Sequence, residues 1–203
     1  MSDNNLGSKT RIGLLRHGQT DWNIDFRLQG TTDIPLNATG LRQVLEVASE
    51  LRGSDWQGIT TSPLGRARET ASVVSLVTGI SMLAEQPLLL ERAFGVGEGL
   101  TYDEWRELHN ELSLIPGCES VEDLTDRCHR LLDDLLTAHR GQSVLAVSHG
   151  ALIRKLVEIL SNNELPPAGV RFQNASLSVI CHTDYAGWFV EKFDPLTYTA
   201  GVR

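Results

Sequence analysis

Gly13-Leu14-Leu15-Arg16-His17-Gly18 and Val144-Leu145-Ala146-Val147-Ser148-His149-Gly150 are two short apolar runs, each closed by a histidine and a glycine. Runs of this length that stop at glycine read as buried strands of a parallel sheet. In open α/β sheets ligands bind in the crevice beyond the carboxyl ends of the strands. Both imidazoles are therefore expected in one place, with the Arg16 guanidinium beside the first. Such a place suits a phosphate.

Working outward, strand and helix signals alternate, which predicts βαβ units and a three-layer α/β/α sandwich with a mostly parallel sheet. Gln19 to Asn37, with Gly30 and Pro35, reads as a loop. Leu41, Val44, Leu45, Ala48 and Leu51 fall on one helical face. Gln57 to Thr61 reads as a short strand. Ser62-Pro63 then reads as an N-cap followed by proline at the first helical position, opening a helix that stops near Gly79. Ser81 to Leu90 is expected to be extended, and Gly95, Gly97 and Gly99 to mark a mobile loop. A helix is expected from Tyr102 to Leu112. Ser120 to Asp123 resembles a capping box before a helix carrying Leu124, Cys128, Leu131 and Leu135. A further helix runs through Leu160, and Ser176–Thr183 with Gly187–Lys192 read as a hairpin that puts an antiparallel strand at the sheet edge. The 203 residues fit one domain spanning 1–203. Residues 1–10 are expected to form a flexible tail, and 95–119 a small helical excursion, a lid over the site.

Hydrophobic residues make up 41% and charged residues 22%, as in soluble globular enzymes. The polar start and the lack of a long apolar run predict a cytoplasmic protein without membrane contact. The three cysteines, Cys118, Cys128 and Cys181, have no CxxC spacing and read as reduced thiols. On that reading the N-x-[ST] matches at Asn37 and Asn174 carry no glycosylation meaning. A net charge of −8 argues against nucleic acid as a partner. It leaves room for an anionic ligand where arginines converge. A homodimer is compatible with the sequence.

Phosphoryl transfer from a monoester needs an in-line nucleophile, positive charge on the equatorial oxygens and a proton for the leaving oxygen. A neutral imidazole at His17 supplies the nucleophile. Arg16, and Arg66 in the first turns of the second long helix, supply forked donors, with free helix N–H groups beside Arg66 to favour an anion. His149 completes the clamp, and Glu91, after Leu88-Leu89-Leu90, is the acid. Arg92 is placed to reach a substrate carboxylate. Trp22, Trp105 and Trp188 read as packing residues, and the other arginines and acids on helices as solvated faces.

Leu15-Arg16-His17-Gly18-Gln19-Thr20, with Trp22-Asn23 behind it, resembles the signature of the histidine phosphatase, or phosphoglycerate-mutase-like, superfamily. The resemblance continues through Thr61-Ser62-Pro63-Leu64-Gly65-Arg66-Ala67, Glu91-Arg92-Ala93-Phe94-Gly95 and Val147-Ser148-His149-Gly150. It implies that His17 becomes a phosphohistidine and that Glu91 is proton donor and acceptor. It also implies that Arg16, Arg66 and His149 hold the phosphoryl group, with Asn23 hydrogen-bonded to it. Neither metal nor cofactor is implied, and the expected partner is a small phosphorylated metabolite. Glu98-Gly99 matches a recurring element of the phosphatase branch, where it shapes the loop.

A metal hydrolase is the first rival, opposed by Arg16, because a fixed cation repels a metal ion. No HExxH, GxSxG or GxxxxGK[ST] motif is present. A binding module without catalysis is the rival from another class, and the full residue set disfavours it. Within the family the choice lies between a phosphatase and a cofactor-dependent phosphoglycerate mutase. Tyr102 stands where the mutases carry lysine, the stretch from Glu104 to Gly117 is short, and so is the tail from Phe193 to Arg203. Arg92 is the only obvious carboxylate partner. These features favour a metal-independent phosphomonoesterase.

Overall fold

The computed structural model describes residues 8–195. The expected mobility of the first residues and the short C-terminal tail fall largely on 1–7 and 196–203, outside the described residues. Five strands form one sheet: β1 (Thr10–Arg16), β2 (Gly58–Thr61), β3 (Ser143–Ser148), β4 (Leu177–Thr183) and β5 (Gly187–Lys192), in the order β2-β3-β1-β4-β5. β1 lies parallel to β3 and β3 to β2, while β4 runs antiparallel to both β1 and β5. The hairpin thus closes one edge, and β4 is the reversed strand.

Side-chain alternation divides the core into two layers. Ile12, Leu14, Val144, Ala146 and Ile180 point to one face of the sheet, and Leu15, Leu145, Val147, Ile59 and Val179 to the other. The first face is covered by α5 (Val121–His139) and α6 (Gly150–Leu160), whose buried positions recur at three- and four-residue spacing. The second is covered by α2 (Ala38–Glu50) and α3 (Gly65–Thr78). Each fully buried leucine among them contributes roughly 1.5–3 kcal/mol. The three layers predicted from the alternation of signals are present. No helix among the described residues is long and apolar enough to cross a membrane.

Several local readings change. The stretch Gln19–Asn37 contains a one-turn helix, α1 (Asp21–Ile24), fixed by a reciprocal cap between Thr20 and Asn23. Ser62 does not cap α3: the helix starts at Gly65, with Leu64 at the cap position and no side-chain cap bond. The Ser62 hydroxyl has another partner, His149. Ser81–Leu90 is not a strand. Met82 makes one isolated bridge to Ile59, and Pro87–Leu89 form a 3-10 turn. The excursion holds a 3-10 turn at Gly95–Gly97, α4 (Tyr102–His109) and another 3-10 turn at Leu112–Leu114.

Two glycines let the loop after β1 close onto α2. A Cβ on Gly18 would lie 2.6 Å from the Gly40 carbonyl oxygen, and one on Gly40 would lie 2.1 Å from the Gln19 carbonyl oxygen. Only bare backbones approach so closely, and that approach sets where the chain turns immediately after His17.

Candidate active site

The register of β1 and β3 brings the two histidines together. Arg16 pairs with Ser148, and the His17 N–H extends the ladder to the Ser148 carbonyl at 3.0 Å. The next residues on the two strands are His17 and His149, whose ring centroids lie 5.1 Å apart at an interplanar angle of 57°. His149 is also the N-cap residue of α6, so the strand-to-helix turn holds its ring.

His17 is buried, with Nδ1 2.7 Å from the carbonyl oxygen of Gly18. A carbonyl can only accept, so Nδ1 carries the proton and Nε2 the lone pair. Burial, and then the guanidinium groups of Arg16 and Arg66, hold the ring well below its ordinary value of 6.5, so it is neutral at pH 7. The backbone behind it is fixed. The Gly18 N–H donates to Thr70 Oγ1 (3.1 Å), and the His17 carbonyl accepts from the Ala175 N–H (3.2 Å) and Asn174 Nδ2 (3.1 Å). His149 is held low as well, by burial and then by His17, Arg66, Arg16 and Arg127. Its Nε2 lies 2.8 Å from Ser62 Oγ, while Nδ1 is buried without a partner.

Two guanidinium groups flank this pair. Arg16 donates through Nη1 to the Phe172 carbonyl (2.5 Å), and burial lowers it to about 10, against the pull of Glu91, so it stays charged at neutral pH. Arg66 is wholly buried. Its Nη1 and Nη2 donate to the carbonyls of Thr32 (2.9 Å) and Gly30 (2.7 Å). The loop carrying those carbonyls is tied down by Glu98, which accepts from the N–H groups of Thr31 (2.9 Å) and Thr32 (2.7 Å) and from both hydroxyls. Arg16 Nε, Arg66 Nε and His149 Nδ1 are all buried with no partner. Unpaired buried polar atoms are rare because each carries its full desolvation cost. These three belong to residues that act on His17, the two guanidinium groups through their charge and His149 through ring contact.

The free helix N–H groups expected beside Arg66 are not available. The Asp33 carboxylate takes the N–H groups of Gly65 (2.5 Å) and Arg66 (3.4 Å), capping α3 from outside. Glu91 does the same for α6. Its oxygens accept from Ala151 N–H (3.0 and 3.1 Å), Leu152 N–H (3.1 Å) and its neighbour's Arg92 N–H (2.9 Å). Its segment is braced by Arg127, whose guanidinium donates to the carbonyls of Leu88 (2.9 Å) and Leu90 (2.7 Å) and pairs with Glu119 (2.7 Å). Arg127 is therefore a structural brace, not the solvated helix residue expected.

A cavity of about 240 Å³ opens beside His17, lined among others by Arg16, Asn23, Arg27, Glu91, Arg154 and Arg171. Asn23 faces it while accepting from Asn174 Nδ2 (3.0 Å). His149, in ring contact with His17, and the buried Arg66 are not among its lining residues. Arg92 is not among its lining residues. The Arg92 Nε donates to the Glu119 carbonyl at 2.8 Å, and the guanidinium lies 5.8 Å from the Phe94 ring centroid. The expectation that Arg92 reaches a substrate carboxylate meets a guanidinium held to backbone through Nε and turned onto Phe94, away from the cavity lining. Arg27, Arg154 and Arg171 line the cavity instead, and sequence spacing gave no sign of them. Asn174, dismissed above with its N-x-S match, holds the His17 carbonyl.

Among curated relatives, the chain is 37% identical over 192 residues to the "Uncharacterized phosphatase PhoE" of Bacillus subtilis, covering 95% of this chain and 98% of that one. It is 35% identical over 196 residues to the "Probable phosphoglycerate mutase GpmB" of Salmonella choleraesuis, covering 89% and 91%. Among solved structures it resembles Bacillus stearothermophilus YhfR with a TM-score of 0.79 at 27% identity, covering 90% of this chain and 96% of that one. The relatives are thus named both as a phosphatase and as a probable mutase. The family model of the histidine phosphatase superfamily (branch 1) matches residues 12–195. Both histidines and every residue lining the cavity fall inside that single match, and the protein belongs to this superfamily.

Proposed function

We propose that the protein is a metal-independent phosphomonoesterase that acts on small phosphorylated metabolites through a phosphohistidine at His17. One observation carries the reading: a neutral imidazole whose Nδ1 is committed to Gly18, leaving the Nε2 lone pair free, under the charge of two buried guanidinium groups whose Nε atoms have no partner. A phosphoryl group bound there meets Arg16, Arg66 and His149 on its oxygens and Asn23 at the cavity wall. His17 Nε2 attacks phosphorus, the P–O ester bond breaks, and Glu91 passes a proton to the leaving oxygen. Glu91 then takes a proton from a water whose oxygen attacks phosphorus. The P–N bond breaks, inorganic phosphate leaves and His17 recovers its lone pair. The guanidinium groups do the charge stabilisation that a metal ion performs elsewhere.

Hydrolysis rather than mutation of the phosphate position is supported by the excursion. α4 presents Tyr102 and Trp105, not a cation, to the adjoining cavity, and Tyr102 and Phe26 at its rim are exposed, so water has access. A mutase must exclude water from its phosphoenzyme. Arg27, Arg154 and Arg171 favour the second reading, a phosphoglycerate mutase, because they offer the carboxylate partners that Arg92 does not. Incubation with 3-phosphoglycerate and catalytic 2,3-bisphosphoglycerate separates the two. The phosphatase reading expects inorganic phosphate from a panel of metabolic monoesters and little isomerisation. Rapid formation of 2-phosphoglycerate with little phosphate would overturn it.

A further inference from the structure

The cavity beside His17 carries more positive charge than one phosphoryl group needs. Arg16, Arg27, Arg154 and Arg171 line it against one carboxylate, Glu91, in a chain whose net charge is −8. Most of these guanidinium groups are engaged. Arg16 donates to the Phe172 carbonyl. Arg27 donates to the Gly99 carbonyl (2.7 Å) and sits 3.4 Å from Asp25 and 3.8 Å from Glu104. Arg154 donates to the Val170 carbonyl and lies 3.9 Å from Glu158.

Arg171 differs. It makes no ion pair or hydrogen bond with any described residue. Its guanidinium lies over the Phe26 ring, 5.2 Å from the centroid. It is exposed, yet it borders both the cavity beside His17 and an adjoining one of about 510 Å³. Its charge reaches the catalytic end, where it helps to lower Arg16. Stacking on an aromatic face holds a guanidinium by its plane and leaves its N–H edge free for two parallel bonds to a carboxylate.

Resting on the phosphatase reading, we infer that Arg171, on its Phe26 shelf, receives a carboxylate of the substrate. The preferred substrates are then small monoesters carrying a carboxylate a few atoms from the phosphate. 3-Phosphoglycerate and glycerol 3-phosphate share a three-carbon skeleton and differ in that group. Their affinities are measured by calorimetry in a His17→Gln background, which keeps both esters intact, with His17→Asn as substitute should the glutamine variant not fold. The acid should bind about tenfold more tightly, the lower end for a charge-assisted hydrogen bond discounted for exposure. Adding Arg171→Gln should bring the ratio near one, and Arg171→Lys should keep part of it. Equal affinities in the parent, or a preference unchanged by Arg171→Gln, would overturn the inference. Phosphate release by the wild-type protein is read separately. Its absence with the preference intact would remove the phosphatase reading and leave the carboxylate site standing.

Discussion

Lowering the pH from 7.5 to 5.5 should destabilise the protein by more than its carboxylates explain, because two buried imidazoles resist protonation. His17 and His149 are held well below 6.5 in the folded chain, chiefly by burial and then by neighbouring positive groups. In the unfolded chain both return to about 6.5. Below that pH the unfolded state binds more protons than the native state, so unfolding becomes easier as pH falls. The loss begins near 6.5 and deepens until the native rings themselves take up protons. For one ring unprotonated in the native state it is RT ln(1 + 10^(6.5−pH)), about 1.4 kcal/mol at pH 5.5 and under ~0.1 at pH 7.5, hence about 2.8 kcal/mol for two. Other groups also contribute to the pH dependence, so the informative quantity is a difference. Urea unfolding at both pH values, for the wild-type chain and His17→Asn, should show the variant losing about 1.4 kcal/mol less between them. Equal losses would refute the claim that His17 is neutral because of where it is buried.

Three further outcomes follow from the same geometry. Thr70 is fully buried, accepts from the Gly18 N–H and donates to the Arg66 carbonyl (2.8 Å). Thr70→Val should therefore cost about 1–3 kcal/mol, or roughly 2–4 °C of Tm per kcal/mol for a chain of this size, while Thr70→Ser stays near wild type. Glu91→Gln should slow alkyl phosphate hydrolysis by on the order of 10²–10⁴-fold and nitrophenyl phosphate hydrolysis far less, since a nitrophenolate leaves unprotonated; equal losses would make Glu91 structural. Exhaustive chelation should leave the rate unchanged, and activity lost on chelation and restored by zinc or manganese would revive the metal-hydrolase reading.

The sheet and the meeting of the two histidines were legible because both depend on local patterns. Apolar runs ending in His-Gly define strands, and parallel strands in register deliver their ends to one crevice. What the sequence left open depends on partners far along the chain. Ser62 looks like an N-cap because serine before proline usually is one, but its hydroxyl lies against His149, 87 positions later. The N–H groups beside Arg66 look free until Asp33, on a separate loop, is seen to occupy them. Arg92 sits next to the acid in sequence, yet its guanidinium turns to the Glu119 carbonyl. Arg171 stands in an unpatterned stretch, and its place over Phe26 at the cavity depends on chain segments 145 positions apart. Spacing shows which residues share an element, whereas polar satisfaction between elements is set by the closed fold.

The central claim is that Nε2 of His17 is the nucleophile, and the bonding nitrogen itself can be read. Rapid quench in alkali with a labelled phosphomonoester, followed by ³¹P NMR of the phosphoenzyme and peptide mapping, identifies the residue and distinguishes the two phosphohistidine isomers. Because Nδ1 donates to the Gly18 carbonyl at 2.7 Å, the account predicts an acid-labile, base-stable phosphohistidine at His17, bonded through Nε2 and absent from His17→Asn. Label on Nδ1, on another residue, or retained by His17→Asn would contradict it.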